Sequence, residues 1–144
     1  MIIFTKFDNK IIALKNNILL SVLRILALIV LLVGAWGSLH FVLLAGQNNK
    51  SFLLRSLFVI WVLCPFVALL IVNIVSHNWP VKTRVIAYCL ILIITVGSLI
   101  AYSGRLSLPG SKPAAIFLVV PFLSLLLIMT VIPLTAFLSR KEKK

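Results

Sequence analysis

Apolar residues fall in four long runs along this chain, roughly Ile25–Ala45, Ser56–Ser76, Val85–Tyr102 and Ala114–Leu138, and polar residues collect between them. None of the four runs contains an aspartate or a glutamate. Each supplies the ~20 apolar residues that a helix rising 1.5 Å per residue needs to cross a ~30 Å hydrocarbon core. The pattern predicts four transmembrane helices. A β-barrel does not fit, because barrel strands alternate apolar and polar positions whereas these runs are continuous.

Composition agrees with that solvent. The apolar share is 62% and the charged share 11%, with a mean hydropathy of +1.23, where a soluble domain is roughly a quarter charged. The net charge of +12 comes from 14 Lys/Arg against Asp8 and Glu142 alone. In a soluble protein such a balance would suggest nucleic acid. Here the cations sit at the ends of apolar runs, where membrane proteins keep them, so no nucleic-acid partner is expected.

The connections between the runs are short and polar: Gly46–Ser51, then His77–Lys82 with its interfacial Trp79 and Pro80, then Ser103–Pro113. In the third, Leu106 and Leu108 alternate with Arg105 and Ser107, so this loop is expected to dip into the interface. Short connections make successive helices antiparallel, giving an all-α, four-helix, up-down-up-down bundle. The organisation expected is a basic N-terminal segment (1–24), one transmembrane domain (25–138) and a basic tail (139–144). Lys6, Lys10, Lys15, Arg24, Lys82, Arg84, Arg140, Lys141, Lys143 and Lys144 then share one side, against Lys50, Arg55, Arg105 and Lys112 on the other. The positive-inside rule puts both termini in the cytoplasm, in a plasma membrane of bacterial inner-membrane type. The basic start followed by an apolar run also resembles a signal peptide, but the run continues through Phe41–Ala45, so an uncleaved first helix is expected.

Ahead of the first run, Lys10, Asn17, Ser21 and Arg24 fall within about 60° of one another at 100° per residue, with Ile11, Leu14, Ile18, Leu19, Val22 and Ile25 around the rest. This segment is expected either to lie in the headgroup layer or to extend the first span. Lys10, Lys15 and Arg24 make anionic lipid a candidate partner beside their anchoring role.

Inside the spans, small residues mark places where helices can approach closely. Ala27, Gly34, Ser38 and Ala45 share one stripe, with Gly37 beside it. In the third run Arg84, Tyr88, Thr95, Ser98 and Tyr102 fall within about 80°, a polar stripe that should face inward. Asn73 must also face the bundle, and Tyr88 lies at a matching depth to partner it. Pro65, Pro121 and Pro133 interrupt their helices, each removing a backbone donor and setting a kink. Ser124, Thr130 and Thr135 are at hand to satisfy the freed carbonyls.

Catalytic and metal chemistry find few footholds. His40 and His77 belong to opposite membrane faces and cannot share a metal. Cys64 and Cys89 are offset by roughly 10 Å along the membrane normal, too far for a disulfide, and both are expected as buried apolar thiols. Cys64-Pro65 matches the pair in heavy-metal pumps, without the ATP-hydrolysing domains those pumps require. Zinc, nucleophile-elbow and Walker motifs are all missing, and Asp8 and Glu142 are the only acids. No cofactor, no metal and no enzymatic activity are expected.

The expected role is therefore contact: a non-catalytic membrane protein acting on another membrane component, as an accessory subunit or an immunity-type protein, or through self-association. In size, basic charge and short loops the chain resembles immunity proteins against pore-forming bacteriocins, without a shared motif. The alternative is a small oligomeric channel or exporter. Small multidrug exporters are similar in helix number but carry a glutamate in the first helix, where this chain has Ser38 and His40, so carboxylate-based proton coupling has no carrier.

Overall fold

A computed structural model of the chain describes residues 1–48, 50–105, 109–110 and 113–141. The expected dip of Leu106 and Leu108 lies outside the described residues. Among the described residues there are four α-helices, α1 (Ile2–Ala45), α2 (Phe52–Val75), α3 (Val81–Tyr102) and α4 (Pro113–Lys141), and a 3-10 turn at Ser76–Asn78. All four are long and apolar enough to cross a membrane. Much of the surface is apolar: Trp36, Ile93, Phe122 and Met129 are all exposed. In water that surface would be untenable, whereas in hydrocarbon it is the ordinary exterior of a helical protein.

Helix boundaries run past the apolar runs. Ser51 caps α2 through its Oγ, which accepts from the Leu54 N–H, so α2 starts ahead of Arg55. Pro80 precedes α3, and Lys82-Thr83-Arg84 form its first turn. Gly104, at φ 78°, ends α3 in a left-handed conformation that glycine takes without strain. The largest extension is in α1. It carries no glycine or proline before Gly34, and its 44 residues run continuously from Ile2. At 1.5 Å per residue that is ~66 Å, about twice a hydrocarbon core. The segment ahead of the first apolar run thus continues the span.

Helix directions follow from contacts. Arg24 meets Asn73, Gly34 meets Phe66 and Gly46 meets Arg55, so α1 and α2 are antiparallel. Gly34 meets Thr95 and Gly37 meets Leu99, so α1 and α3 run in the same direction, offset by 61 to 62 positions. The bundle closes as α1–α2–α4–α3, with α1 packed on α2 and α3, and α4 packed on the same two. Consecutive helices α2 and α3 sit across the diagonal and touch little.

The physical reason lies in the small residues. Without a hydrophobic force to sort helices in lipid, the closest approach decides neighbours. At Gly34 a Cβ would overlap the Thr95 methyl. That intimacy draws α3 to α1. The interior holds two apolar clusters, one around Leu31, Phe66, Leu69, Tyr88 and Ile91, the other of Val42, Val62, Tyr102 and Phe117.

Candidate functional site

Buried polar side chains gather at two levels of the bundle. On α1 and α3, Ser38, Thr95, Ser98 and Tyr102 are all buried, as are Ala27 and Gly34. Gly37 is half-buried and Ala45 exposed, so the close contact spans Ala27 to Ser38 and leaves Ala45 out. Ser38 Oγ, Thr95 Oγ1 and Tyr102 Oη have no hydrogen-bond partner among the described residues. The Tyr102 ring stacks on Phe117 at 5.0 Å between centroids, 10° from parallel. This end is held by ring contact rather than by the phenol.

The second level lies where α1 enters the bundle. Asn73 is buried, and its Oδ1 accepts a 3.4 Å hydrogen bond from Arg24 Nε. The partner expected for it was Tyr88. Instead Tyr88 Oη accepts a 3.4 Å bond from Ser76 Oγ, which also donates to the Asn73 carbonyl at 2.9 Å. The register explains the exchange, because Arg24 on α1 stands level with Asn73 on α2 and its long side chain arrives first. Contact with Nε orients the Asn73 amide, and its buried Nδ2 is left without a partner. Arg84, one turn ahead of Tyr88 on the same face of α3, donates from Nε to the Trp79 carbonyl at 2.8 Å. Arg24 and Arg84 are both half-buried, while Lys10, Lys15, Lys82, Arg140 and Lys141 are exposed.

The prolines behave differently from one another. Pro65 and Pro121 are buried and Pro133 is exposed. A proline frees the carbonyl four residues back, here those of Trp61, Phe117 and Met129. The expected hydroxyls do not reach these groups. Ser124 bonds the Val120 carbonyl, Thr130 those of Leu126 and Leu127, and Thr135 those of Val131 and Ile132. A helical Ser or Thr reaches only three or four residues back, so none was placed to serve Phe117 or Met129. A side chain that no sequence motif marks works in that turn: Trp61 Nε1 donates across from α2 to the Leu118 carbonyl at 3.3 Å, next to Phe117.

Cys64 and Cys89 are exposed, contrary to the expected burial. A thiol is drawn inward in water by its apolarity, and in lipid that preference disappears. His40 and His77 are exposed as well. Among the described residues no group of His, Cys, Asp or Glu is arranged to hold a metal.

The other notable surface is the α1 extension. Every residue from Met1 to Leu19 is exposed. Phe4, Phe7, Ile11, Leu14, Ile18, Ser21 and Ile25 follow one another at intervals of three and four, the 3.5-residue repeat of a coiled-coil seam. Six of the seven are apolar, and their exposure runs from 50% at Ile11 to 78% at Phe4. Their spacing was visible in the sequence, but residues 1–9 look like a polar tail until α1 is seen to begin at Ile2. Comparisons of the chain with protein-family models, with curated proteins and with solved structures find no match.

Proposed function

We propose that this is a non-catalytic integral membrane protein that works by contact with another membrane component, and that the α1 extension is the contact element. The supporting observation is the seam along α1, because a helix this long carries the seam's N-terminal part clear of the bundle and none of the described residues covers it. An apolar stripe on a projecting helix is stable only against a partner or a membrane surface. Ile11, Ile18 and Ile25 at one seam position, with Leu14 at the other, suit a two-stranded parallel pairing, while Phe4, Phe7 and Ser21 depart from that pattern.

The flanks select among partners. In a parallel pair of this chain with itself, Lys10 would face Lys15 of the second copy, a like-charge contact that disfavours the homodimer. A partner helix with acidic flanking positions fits better. An accessory subunit or an immunity-type protein would use such a contact. In this reading both termini are cytoplasmic, the helices alternate up and down across a bacterial inner membrane, and the Arg24–Arg84 end faces inward, following the bias of basic residues.

The test replaces Ile11, Leu14 and Ile18 by glutamine. These side chains lie outside the bundle, so folding should be unchanged. Wild-type protein extracted in mild detergent should carry a helical partner that the triple variant loses. A wild-type chain that is monomeric and alone, or a partner retained by the variant, refutes the reading. Self-association lost in the variant would transfer the contact to a second copy.

A second reading, a small oligomeric channel or exporter, draws on the unpartnered oxygens of Ser38, Thr95 and Tyr102. The close Gly34–Thr95 contact weighs against it, since the stripe meets α1 of its own chain. Solute flux through liposomes that disappears in Thr95→Val or Tyr102→Phe would favour the channel.

A further inference from the structure

The end of the bundle where α1, α2 and α3 meet holds two half-buried guanidiniums, and among the described residues no carboxylate stands beside them. Arg24 stands there beside Asn73. The α1–α3 offset of 61 to 62 positions, fixed by the Gly34–Thr95 and Gly37–Leu99 contacts, sets Arg24 level with Val85 or Ile86, one to two residues past Arg84. Arg84 shares its helix face with Tyr88 and Thr95, and Thr95 meets α1. Both arginines therefore bracket one junction.

Each engages this chain through Nε alone, to Asn73 Oδ1 and to the Trp79 carbonyl, both neutral acceptors. The terminal nitrogens have no partner among the described residues. Asp8 is the sole acid among those residues. It is exposed and sixteen positions upstream of Arg24, ~24 Å along the helix. A third donor is present in Asn73 Nδ2, which is buried, unpartnered and oriented by the Arg24 contact. Partly desolvated guanidiniums beside an unmatched amide N–H leave more donors than acceptors at this junction. Planar forks of this kind match tetrahedral oxyanions, and basic pockets between helices at a membrane face are built to take phosphate headgroups.

We infer that Arg24, Asn73 and Arg84 form a binding site for a phosphate oxyanion, supplied in the bilayer by a phospholipid headgroup. The inference is independent of the partner contact along α1.

Full-length protein in non-ionic detergent is titrated with dioleoyl phosphatidylglycerol or with dioleoylglycerol, which lacks the phosphate, and retained lipid is measured by native mass spectrometry. The wild type should hold one phosphatidylglycerol and no dioleoylglycerol. The Arg24→Gln/Arg84→Gln variant should hold it at least about tenfold more weakly, two charge-assisted bonds being lost. Removing two exposed charges elsewhere, as Lys50→Gln/Arg105→Gln, should change retention less than about twofold. Displacement of the lipid by millimolar sodium phosphate would identify free phosphate as an equal source. Resistance to it would assign the site to lipid.

Asn73→Asp guards against a variant that merely misfolds. It keeps both arginines and adds an internal carboxylate, so lipid retention should fall about tenfold while the melting temperature in lipid-free detergent rises. Undiminished retention in Asn73→Asp or in the double arginine variant overturns the site. So does retention of dioleoylglycerol, or an equal loss in the Lys50→Gln/Arg105→Gln variant.

Discussion

Gly34 carries the sharpest quantitative consequence of the fold. An alanine there must place its Cβ into the Thr95 methyl, and Thr95 has no room to yield: it is fully buried and its β-branched side chain is stiff in a helix. Overpacking of one methyl typically costs ~1–3 kcal/mol. Replacing glycine in a helix returns ~1 kcal/mol of propensity, so the net loss for Gly34→Ala is up to about 2 kcal/mol. Two other glycines separate these terms. At Gly37 the added Cβ would lie 2.8 Å from Leu99 Cδ2, the end of a flexible side chain, and at Gly97 it would meet nothing within 4 Å. Gly97→Ala should be neutral or stabilising and Gly37→Ala intermediate. Thr95→Ala removes both the obstructing methyl and an unpartnered hydroxyl. Added to Gly34→Ala it should restore most of the lost stability, giving a coupling of ~1–2 kcal/mol in a double-mutant cycle. The assay is reversible unfolding in mixed micelles for the wild type and all five variants. Equal stabilities for the three alanine variants, or a Gly34–Thr95 coupling near zero, would refute the close α1–α3 contact and the ring order that rests on it.

Other contacts make smaller, separable predictions. Trp61→Phe keeps the ring but loses the bond to the Leu118 carbonyl, and should cost ~0.5–1 kcal/mol in the same assay, the range of hydrogen bonds between membrane helices. Tyr102→Phe should lie within ~0.5 kcal/mol of wild type, because the lost hydroxyl has no partner, whereas Tyr102→Leu forfeits the Phe117 stack and should cost ~1 kcal/mol or more. In detergent, N-ethylmaleimide should label Cys64 and Cys89 in the folded protein without denaturant, with labelling read by mass spectrometry. In sealed vesicles a charged maleimide should label neither. Protection of either thiol in detergent would place it inside the bundle.

The four helices were legible because hydrocarbon imposes a length and a composition, and the four apolar runs meet both. Their ends were less so. Hydropathy stops at the first polar residues, but backbone hydrogen bonding does not. Arg55 and the Lys82–Arg84 turn are helical, and at the rim of a bilayer polar side chains carry little penalty. The inward turn of Asn73, Tyr88 and Thr95 follows from polarity, since an amide or hydroxyl in lipid has nowhere else to go. The fate of the cysteines did not follow, because a thiol is at home on either side of such a bundle.

Neighbour relations were hidden for a deeper reason. Reading the order α1–α2–α4–α3 requires knowing which faces fit most closely, and that depends on a glycine on one helix meeting a methyl on another 61 positions away. A stripe of small residues announces that some helix will come near and leaves open which one. The Arg24–Asn73 contact is a consequence of that order, since it arises only once α1 is set in register with α2. The seam along α1 was masked differently. At 3.6 residues per turn, Lys10, Asn17, Ser21 and Arg24 stand out as a polar face. At 3.5 the same segment shows an apolar line from Phe4 to Ile25, interrupted at Ser21. One period describes how a helix lies on a surface, the other how it pairs with a second helix. A continuous α1, far longer than a bilayer needs, gives the pairing period its relevance.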